Sequence, residues 1–454
     1  MRILGLVVCV VVAAGCGDVS DPDGTPDAGG DDDPDAAGTP DAGDPDAAAL
    51  DAGPDAAPPT YGVSGTVSGF AGAGMVLRLN GATDLEITED GAFSFPSELA
   101  DGATFEVTVA AEPTCPHRVC AVADGSGTID GADGSGVTVT CVEPIFRLAS
   151  HNWGAPRSIR ITDDVLALAD AATATPRIVT GDTTGVGSTR TDSISFDRLR
   201  GLIYATAQST DPDPSILVFP NAATISGDVA PARQIVIDGA IQITGVELDE
   251  EADRLYVSGA VGQVYVLDGA SALNGTVTPT ASIAIASPGA IALDREADRL
   301  YVASEAGGLS QLDAARSLTS KSTVSRSVTW TSPADFSRSL AIDGCRDRLY
   351  VSIRNASSGV NIFALDDAST LTGALDLHTA SQAELTVPDG EVMSSALDSL
   401  GHLYFWEDSA TTVHIVLEPH LLTGEVTVDP EKTINAVVAS GYGLDVMPYA
   451  PEAP

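Results

Sequence analysis

One pattern of hydrophobic and polar positions returns along the chain from residue 145 onwards. Three copies have a short alternating segment that ends in Asp, then a turn, then the segment Asp-Arg-Leu-Tyr-Val, in residues 246–257, 291–302 and 340–351. Weaker copies, with Leu-Ile-Tyr and His-Leu-Tyr-Phe in place of that segment, lie at residues 196–204 and 397–405. The tyrosines of successive copies lie 52, 45, 49 and 54 residues apart and are Tyr204, Tyr256, Tyr301, Tyr350 and Tyr404. A hydrophobic period of two predicts β-strands, and four strands in about 50 residues are typical of one propeller blade.

These repeats resemble the NHL and YVTN class of β-propellers. The likeness lies in the Asp-Arg-Leu-Tyr-Val segments and in Ile-Leu-Val-Phe-Pro-Asn-Ala at residues 216–222. The resemblance implies that residues 144–454 form a β-propeller, a fold that hosts many functions. Six repeated aspartates predict six blades, namely Asp197, Asp249, Asp294, Asp343, Asp398 and Asp445. The sequence leaves a seventh blade open if residues 146–160 contain a further copy.

The last copy, residues 441–445, is not followed by the remaining strands of a blade. The first strands of the region, in turn, lack a clear copy of the repeated segment that ends in Asp, which we expect to be the innermost strand of each blade. We therefore expect the C-terminal strand to complete the N-terminal blade, because this closure removes an exposed sheet edge.

Residues 61–143 show the same alternation in short runs separated by glycine-rich turns, which predicts a small antiparallel β-sandwich. The unit resembles bacterial Ig-like or carboxypeptidase-regulatory-like modules, through Gly-Thr-Val-Ser-Gly at residues 65–69 and the segment from Cys120 to Cys141. The resemblance implies a disulfide between Cys120 and Cys141, and a spacer or adhesive role.

The first 60 residues are predicted to contain no folded domain. Residues 1–15 have the features of a signal peptide, because a cationic start precedes an apolar run too short to span a bilayer. Ala13-Ala14-Gly15-Cys16 resembles the lipobox of bacterial lipoproteins, which implies lipidation of Cys16 and anchoring in the cell envelope, with the outer membrane favoured. The alternative is ordinary secretion with Cys16 unmodified. Residues 16–60 repeat Pro-Asp-Ala without aromatic residues, so we expect a disordered, extended tether.

Export places the remaining cysteines in an oxidising compartment. Cys115 and Cys345 are left over from the pairing that the resemblance implies, and the sequence leaves open whether they bridge the two folded units or stay free. No cysteine or histidine spacing typical of zinc or c-type haem is present, and we expect no cofactor.

Acidic residues dominate the composition, with 64 Asp and Glu against 22 Lys and Arg and a formal net charge of −42. Thirteen of the aspartates lie in residues 17–60. This balance argues against nucleic acid as a partner, because phosphate binding needs a basic face. A strongly negative surface repels other copies of the same chain, which favours a soluble monomer.

The predicted inner strands carry few charged residues, since the positions aligned ahead of the repeated aspartates are almost all Gly, Ala or Ser. The ring of carboxylates and amides that a hard cation needs is missing. Each repeated Asp precedes a hairpin turn, so we interpret these residues as turn caps. Asp192, Glu247 and Arg338 are the candidate contacts to a polar ligand; a local salt bridge or a solvated rim is the alternative.

We therefore predict an all-β, exported cell-envelope lipoprotein, periplasmic or surface-exposed, that acts as a binding or scaffolding module. Its ligand would be a protein or a polysaccharide at a propeller face. Two alternatives remain: a hydrolase like the lactonase propellers, and a structural surface protein without a specific ligand. No catalytic motif such as Gly-x-Ser-x-Gly is present, so the sequence assigns no catalytic residue.

Overall fold

The protein is all-β in a computed structural model. The structure describes residues 58–152, 157–181, 184, 193–207, 214–259, 262–331, 336–354, 362–387, 392–407, 412–428, 432–435 and 443–449. The predicted signal peptide, Cys16 and the predicted tether lie outside these residues. In the described part of the chain, no helix has the length and apolar character needed to cross a membrane.

Residues 58–143 form two four-stranded sheets and one two-stranded sheet. The strands are β1 (Thr60–Tyr61), β2 (Val63–Ser68), β3 (Met75–Leu79), β4 (Thr83–Ile87), β5 (Gly91–Ser94), β6 (Leu99–Ala100), β7 (Thr104–Ala111), β8 (Val119–Ala123), β9 (Ser126–Thr128) and β10 (Gly134–Val142). The four-stranded sheets have the orders β5-β2-β10-β8 and β4-β3-β7-β9. Alternate side chains of both sheets, such as Leu77 and Val139, are buried in one shared core.

The prediction of a purely antiparallel arrangement for this unit is wrong at one pair of strands. Strands β2 and β10 pair in parallel, while their other neighbours pair antiparallel. The first and last long strands of the unit lie side by side and run in the same direction. The chain returns to the start of β10 through the other sheet, and a connection of that length permits parallel pairing.

Residues 144–449 form six further sheets. Their elements are β11 (Ile145–Asn152), β12 (Ser158–Thr162), β13 (Arg177–Val179), β14 (Ile194–Asp197), β15 (Leu202–Ala207), β16 (Ser215–Phe219), β17 (Arg233–Ile237), β18 (Ile243–Asp249), β19 (Arg254–Gly259), β20 (Gln263–Asp268), β21 (Gly275–Val277), β22 (Ala281–Ala284), β23 (Pro288–Asp294), β24 (Arg299–Ser304), β25 (Gly308–Asp313), β26 (Arg326–Trp330), β27 (Phe336–Asp343), β28 (Arg348–Arg354), β29 (Ile362–Leu365), β30 (Gly373–Leu375), α1 (Leu377–Ala380), β31 (Ala383–Thr386), β32 (Val392–Leu397), β33 (Leu403–Glu407), β34 (Thr412–Val416), β35 (Gly424–Thr427), β36 (Lys432–Asn435) and β37 (Leu444–Tyr449).

Five of these sheets begin with a meander of consecutive strands. We number the six sheets in chain order: sheet 1 is β13-β12-β11-β37, sheet 2 is β14-β15-β16-β17-β21, sheet 3 is β18-β19-β20-β22, sheet 4 is β23-β24-β25-β26-β30, sheet 5 is β27-β28-β29-β31-β35, and sheet 6 is β32-β33-β34-β36. The short strands β21, β30 and β35 each belong to the connections of one sheet but pair in parallel with the previous one. These pairings tie neighbouring sheets together at their outer edges.

The six sheets are also linked through one strand of each. The strands β14, β18, β23, β27, β32 and β37 contact one another in that order, and β37 also contacts β14. Sheet 1 takes part in this cycle through its C-terminal strand β37. This strand pairs antiparallel with β11, with Leu148 opposite Val446. This is the pairing of chain ends that the sequence predicts. Buried clusters such as the one containing Phe146, Tyr404 and Val446 fill the space between adjacent sheets.

The repeated aspartates cap the turns that follow them, as the sequence predicts, in five of the six copies. Each carboxylate accepts a hydrogen bond from a backbone N–H two to four residues later, at 2.9–3.2 Å, in the turns after Asp197, Asp249, Asp294, Asp343 and Asp398. The side chain thereby satisfies a turn amide that the sheet leaves unpaired. The sixth copy, Asp445, has different partners, described below.

The Asp-Arg-Leu-Tyr-Val segments hold the sheets together through their first two residues. Asp253 has a φ of 50°, a left-handed conformation that Asp tolerates, and accepts a hydrogen bond from the Ser271 amide at 2.8 Å. Arg254 donates to the carbonyl of Ala315, at 3.1 Å, in the next sheet's outer connection. The motif is therefore a stabilising device of the repeat, and it requires no functional explanation.

The five repeated tyrosines are fully buried. Of their hydroxyls, only that of Tyr404 has a hydrogen-bond partner among the described residues. Tyr404 donates to Asp398 Oδ2 at 2.9 Å, whereas the Tyr301 hydroxyl has no hydrogen-bond partner among the described residues. We expect Tyr404→Phe to lower the free energy of unfolding by about 1–3 kcal/mol, because it removes a buried hydrogen bond to a charged group. The matched change Tyr301→Phe should leave it nearly unchanged. Urea unfolding of the two variants checks this; equal losses would contradict it.

Candidate functional site: the axial cavity

A cavity of about 820 Å³ lies between the first strands of the sheets. All five of sheets 2 to 6 contribute to its wall, and β37 contributes for sheet 1. Small side chains keep it open, and these include Ala290, Ala292, Ala341, Ala396 and Gly443. These are the small positions ahead of the repeated aspartates that were singled out in the sequence, and bulkier residues there would fill the cavity.

A segment of the N-terminal unit closes part of one end of this cavity. We call residues 112–118, between β7 and β8, the mouth loop. Its contacts reach the turns of four sheets: Arg198 donates to Glu112, Thr114 donates to Glu296 at 3.1 Å, Cys115 is bonded to Cys345, and His117 Nδ1 lies 2.8 Å from Ser399 Oγ. Arg198 is itself shared with Glu250 of sheet 3, at 3.1 Å. The mouth loop is thus held by charge, hydrogen bonds and a covalent bond at once.

The described cysteines form two disulfides. Cys120 and Cys141 lie opposite each other on β8 and β10 and form the bond that the resemblance to Ig-like modules implies. Cys115 and Cys345, whose state the sequence left open, form the second bond, which joins residues 230 positions apart and links the mouth loop to sheet 5.

Glu247, a residue singled out from the sequence, lies in the cavity wall on β18. Its partner is Arg295, in the turn after β23, whose Nη2 donates to Glu247 Oε1 at 2.9 Å and to the carbonyl of Leu248 at 2.7 Å. The Arg295 side chain keeps 42% of its surface exposed and that of Glu247 keeps 21%. The pair therefore presents charge to the cavity. Burial raises the pKa of Glu247, and the positive charge of Arg295 opposes that shift.

Asp445 is a second carboxylate of the cavity wall, and it does not cap a turn. Its Oδ2 accepts a hydrogen bond from the Phe196 amide at 2.8 Å, and its Oδ1 accepts one from the Val446 amide at 2.8 Å. It thereby ties β37 to sheet 2. Burial, together with the negative charge of Glu247, raises the pKa of Asp445 to about 7. Two carboxylates and one guanidinium from three sheets thus share one cavity.

The other two candidate residues have different outcomes. Arg338 lies on β27 and lines the cavity, but the ion pair of Glu247 is with Arg295. Asp192 lies outside the described residues. Sequence reasoning missed Arg295, because the alignment of inner strands stopped at the repeated Asp294 just before it. It also missed Asp445 as a site residue, because Asp445 was grouped with the turn caps.

The cavity wall offers carboxylates and guanidinium groups rather than a metal-ligand cluster. In the ranges that the structure covers, no group of three or more His, Cys, Asp or Glu side chains is placed to hold a metal ion. The wall does contain charged groups that form ion pairs and hydrogen bonds, such as Glu247 and Arg295.

The raised pKa of Asp445 predicts a pH dependence of stability. Between the ordinary carboxyl pKa of 3.8 and about 7, the unfolded chain has lost this proton while the folded chain keeps it. Stability therefore falls as pH rises through this window. Asp445→Asn removes the ionisable group but can accept from only one of the two amides, so we expect a lower stability at pH 5. We also expect the variant to lack roughly 2 kcal/mol of the decline between pH 5 and pH 8. Urea unfolding at both pH values measures this, and an unchanged decline would contradict it.

Comparisons with known proteins give little information about this chain. No family model matches it, and no curated protein sequence is similar to it. One solved structure, a chain from a crystal structure of a nidogen/laminin complex, is 12% identical, with a TM-score of 0.42. The match covers 66% of this chain and 98% of that one. A similarity of this strength carries no argument about fold or function, so the geometry of the cavity has to carry the functional conclusion.

Proposed function

We propose that this protein is an exported, envelope-anchored binding module whose residues 144–454 form a six-bladed β-propeller and whose axial cavity holds the ligand. The cycle of contacts among six first strands supports the blade count, and the β11–β37 pairing supports closure of the ring by the chain ends. The observation that carries the function is the open cavity of about 820 Å³ with charged groups on its wall. Cavities of this size with a few convergent polar groups are typical ligand sites.

The same proposal assigns residues 61–143 as a β-sandwich that supports one end of the propeller. In this account the sandwich is more than a spacer, because its mouth loop touches the turns of several sheets and is bonded to one of them. A small soluble molecule fits this arrangement better than a chain that threads the propeller.

The proposed anchor makes a separate prediction. Cys16→Ser removes the sulfur that would carry the lipid, so the protein should move from the membrane fraction to the soluble exported fraction. Fractionation of cells that express either form, followed by immunoblotting, measures this. Unchanged membrane association of the variant would contradict lipidation at Cys16.

The binding function is tested by asking what the cavity retains. The Cys16→Ser protein and the same chain with Glu247→Gln and Arg295→Gln are incubated with a small-molecule extract of the producing cells, dialysed, denatured and analysed by mass spectrometry. We expect the chain with the intact wall to enrich at least one small polar molecule that the doubly neutralised chain does not. Enrichment of nothing, or equal enrichment by both proteins, would contradict binding in this cavity.

A further inference from the structure

We infer that the axial cavity binds a small zwitterion, a molecule that carries a primary ammonium group and a carboxylate, such as a free α-amino acid. This inference rests on the proposed function and adds the chemical class of the ligand. It follows from how the charges of three sheets are distributed around one cavity, and from which of their hydrogen-bonding groups are already in use.

The positive side of the site is Arg295. Its Nη2 is occupied by Glu247 and by the Leu248 carbonyl, at 2.9 and 2.7 Å. Its Nε and Nη1 have no hydrogen-bond partner among the described residues, and 42% of the side chain is exposed in a residue that lines the cavity. Both Nη2 protons are used, so neither two-donor edge of the guanidinium is free. A ligand carboxylate would accept a single charge-assisted hydrogen bond from Nη1 or Nε.

The negative side of the site is formed by Glu247 and Asp445. Arg295 is the positive group that acts on both, and all three side chains line the cavity. Because Asp445 keeps its proton up to about pH 7 in the free protein, the group of three carries one more negative than positive charge above that pH. The backbone amides of Phe196 and Val446 hold the Asp445 carboxylate but bring no full positive charge. A ligand ammonium beside Glu247 and Asp445 supplies the missing charge and has three donors for their oxygens.

The space between these groups suits a small ligand. Aligned wall positions on three of the other strands are Ala292, Ala341 and Gly443, whose side chains are no larger than a methyl group and leave space beside the charged group. A ligand side chain has room along the axis, which leaves its size and polarity unspecified. The two charged ends of the ligand are what the site selects.

The test uses free α-amino acids as probes, represented by alanine, glutamate and lysine, with their N-acetyl and C-amide derivatives as matched controls. Binding to the Cys16→Ser protein is measured by isothermal titration calorimetry. We expect at least one free amino acid to bind, and both blocked forms of it to bind about tenfold more weakly or not at all, because each has lost one charge-assisted contact.

Variants place the binding in the cavity. Arg295→Gln should weaken binding by about tenfold or more, and Asp445→Asn should weaken binding of the free form while leaving that of the N-acetyl form unchanged. Arg254→Gln is the matched control, because Arg254 pairs with Asp268 outside the cavity and its loss should not affect binding. Circular dichroism shows whether each variant is folded, and a folded Arg295→Gln chain that binds as well as Arg254→Gln would overturn the inference.

Failure of this inference differs from failure of the proposed function. If no free amino acid binds, but the intact wall enriches another class of molecule from the cell extract, the zwitterion assignment is wrong and the binding function stands. If neither probe nor extract yields a ligand, both are wrong. Equal binding of free and blocked amino acids would also overturn the assignment.

Discussion

Truncation of the chain before Gly443 is expected to abolish cooperative folding of residues 144–442. The deletion removes β37, and with it the pairing to β11 and three buried side chains, Leu444, Val446 and Met447. Removal of each such side chain costs roughly 2–5 kcal/mol. Their sum is comparable to the whole stability of a typical domain, about 5–15 kcal/mol. Far-UV circular dichroism during thermal unfolding measures the loss.

The matched control for this truncation removes only residues 450–454, beyond the end of β37. That shorter deletion leaves the β11–β37 pairing in place and should unfold like the full chain. If the longer truncation also unfolds cooperatively at the same temperature, the C-terminal strand does not close the array, and the account of the fold is wrong.

The second large effect is expected from the disulfide between the mouth loop and sheet 5. Replacing Cys115 and Cys345 by serine removes a covalent link between two positions that are 230 residues apart in the sequence. In the chain-entropy model such a bond contributes about 5 kcal/mol, against about 3 kcal/mol for a loop the size of the one closed by Cys120 and Cys141. We therefore expect the first pair of substitutions to lower the unfolding free energy more than the second.

Calorimetry adds a qualitative result. With the Cys115–Cys345 bond intact, the N-terminal unit and the six sheets should unfold in one transition, because the mouth loop cannot separate from sheet 5. Without it, the mouth loop keeps its ion pairs and hydrogen bonds but no covalent bond to sheet 5, and two transitions should appear. A single transition at an unchanged temperature in the double serine variant would show that the bond does not couple the two units.

The periodic parts of the fold could be predicted from the sequence because they are repeated. Each Asp-Arg-Leu-Tyr-Val copy marks a turn and a buried strand, and the aspartate at the end of each preceding strand caps its own turn in five copies. The unmatched final copy, ending at Asp445, predicted the pairing of β37 with the start of the array. Local chemistry and period were enough for these features.

The contacts between distant segments could not be predicted. The parallel pairing of β2 with β10 depends on how two sheets pack, and alternation alone does not distinguish it from an antiparallel pair. The site depends on which turns converge. Glu247 was identifiable as a charge among small residues, but its partner Arg295 lies in another sheet, 48 positions later, and only the closed cycle brings them together.

The most direct test of the account is a covalent link across the closing pair of strands. Leu148 and Val446 are opposite each other on β11 and β37, so a chain carrying Leu148→Cys and Val446→Cys should form a third disulfide on oxidation. We expect non-reducing mass spectrometry of peptides to show that bond in most molecules, while the native pairs stay intact. If the two new cysteines remain free in the folded, oxidised protein, the ends of the array do not meet and the axial cavity is not enclosed as described.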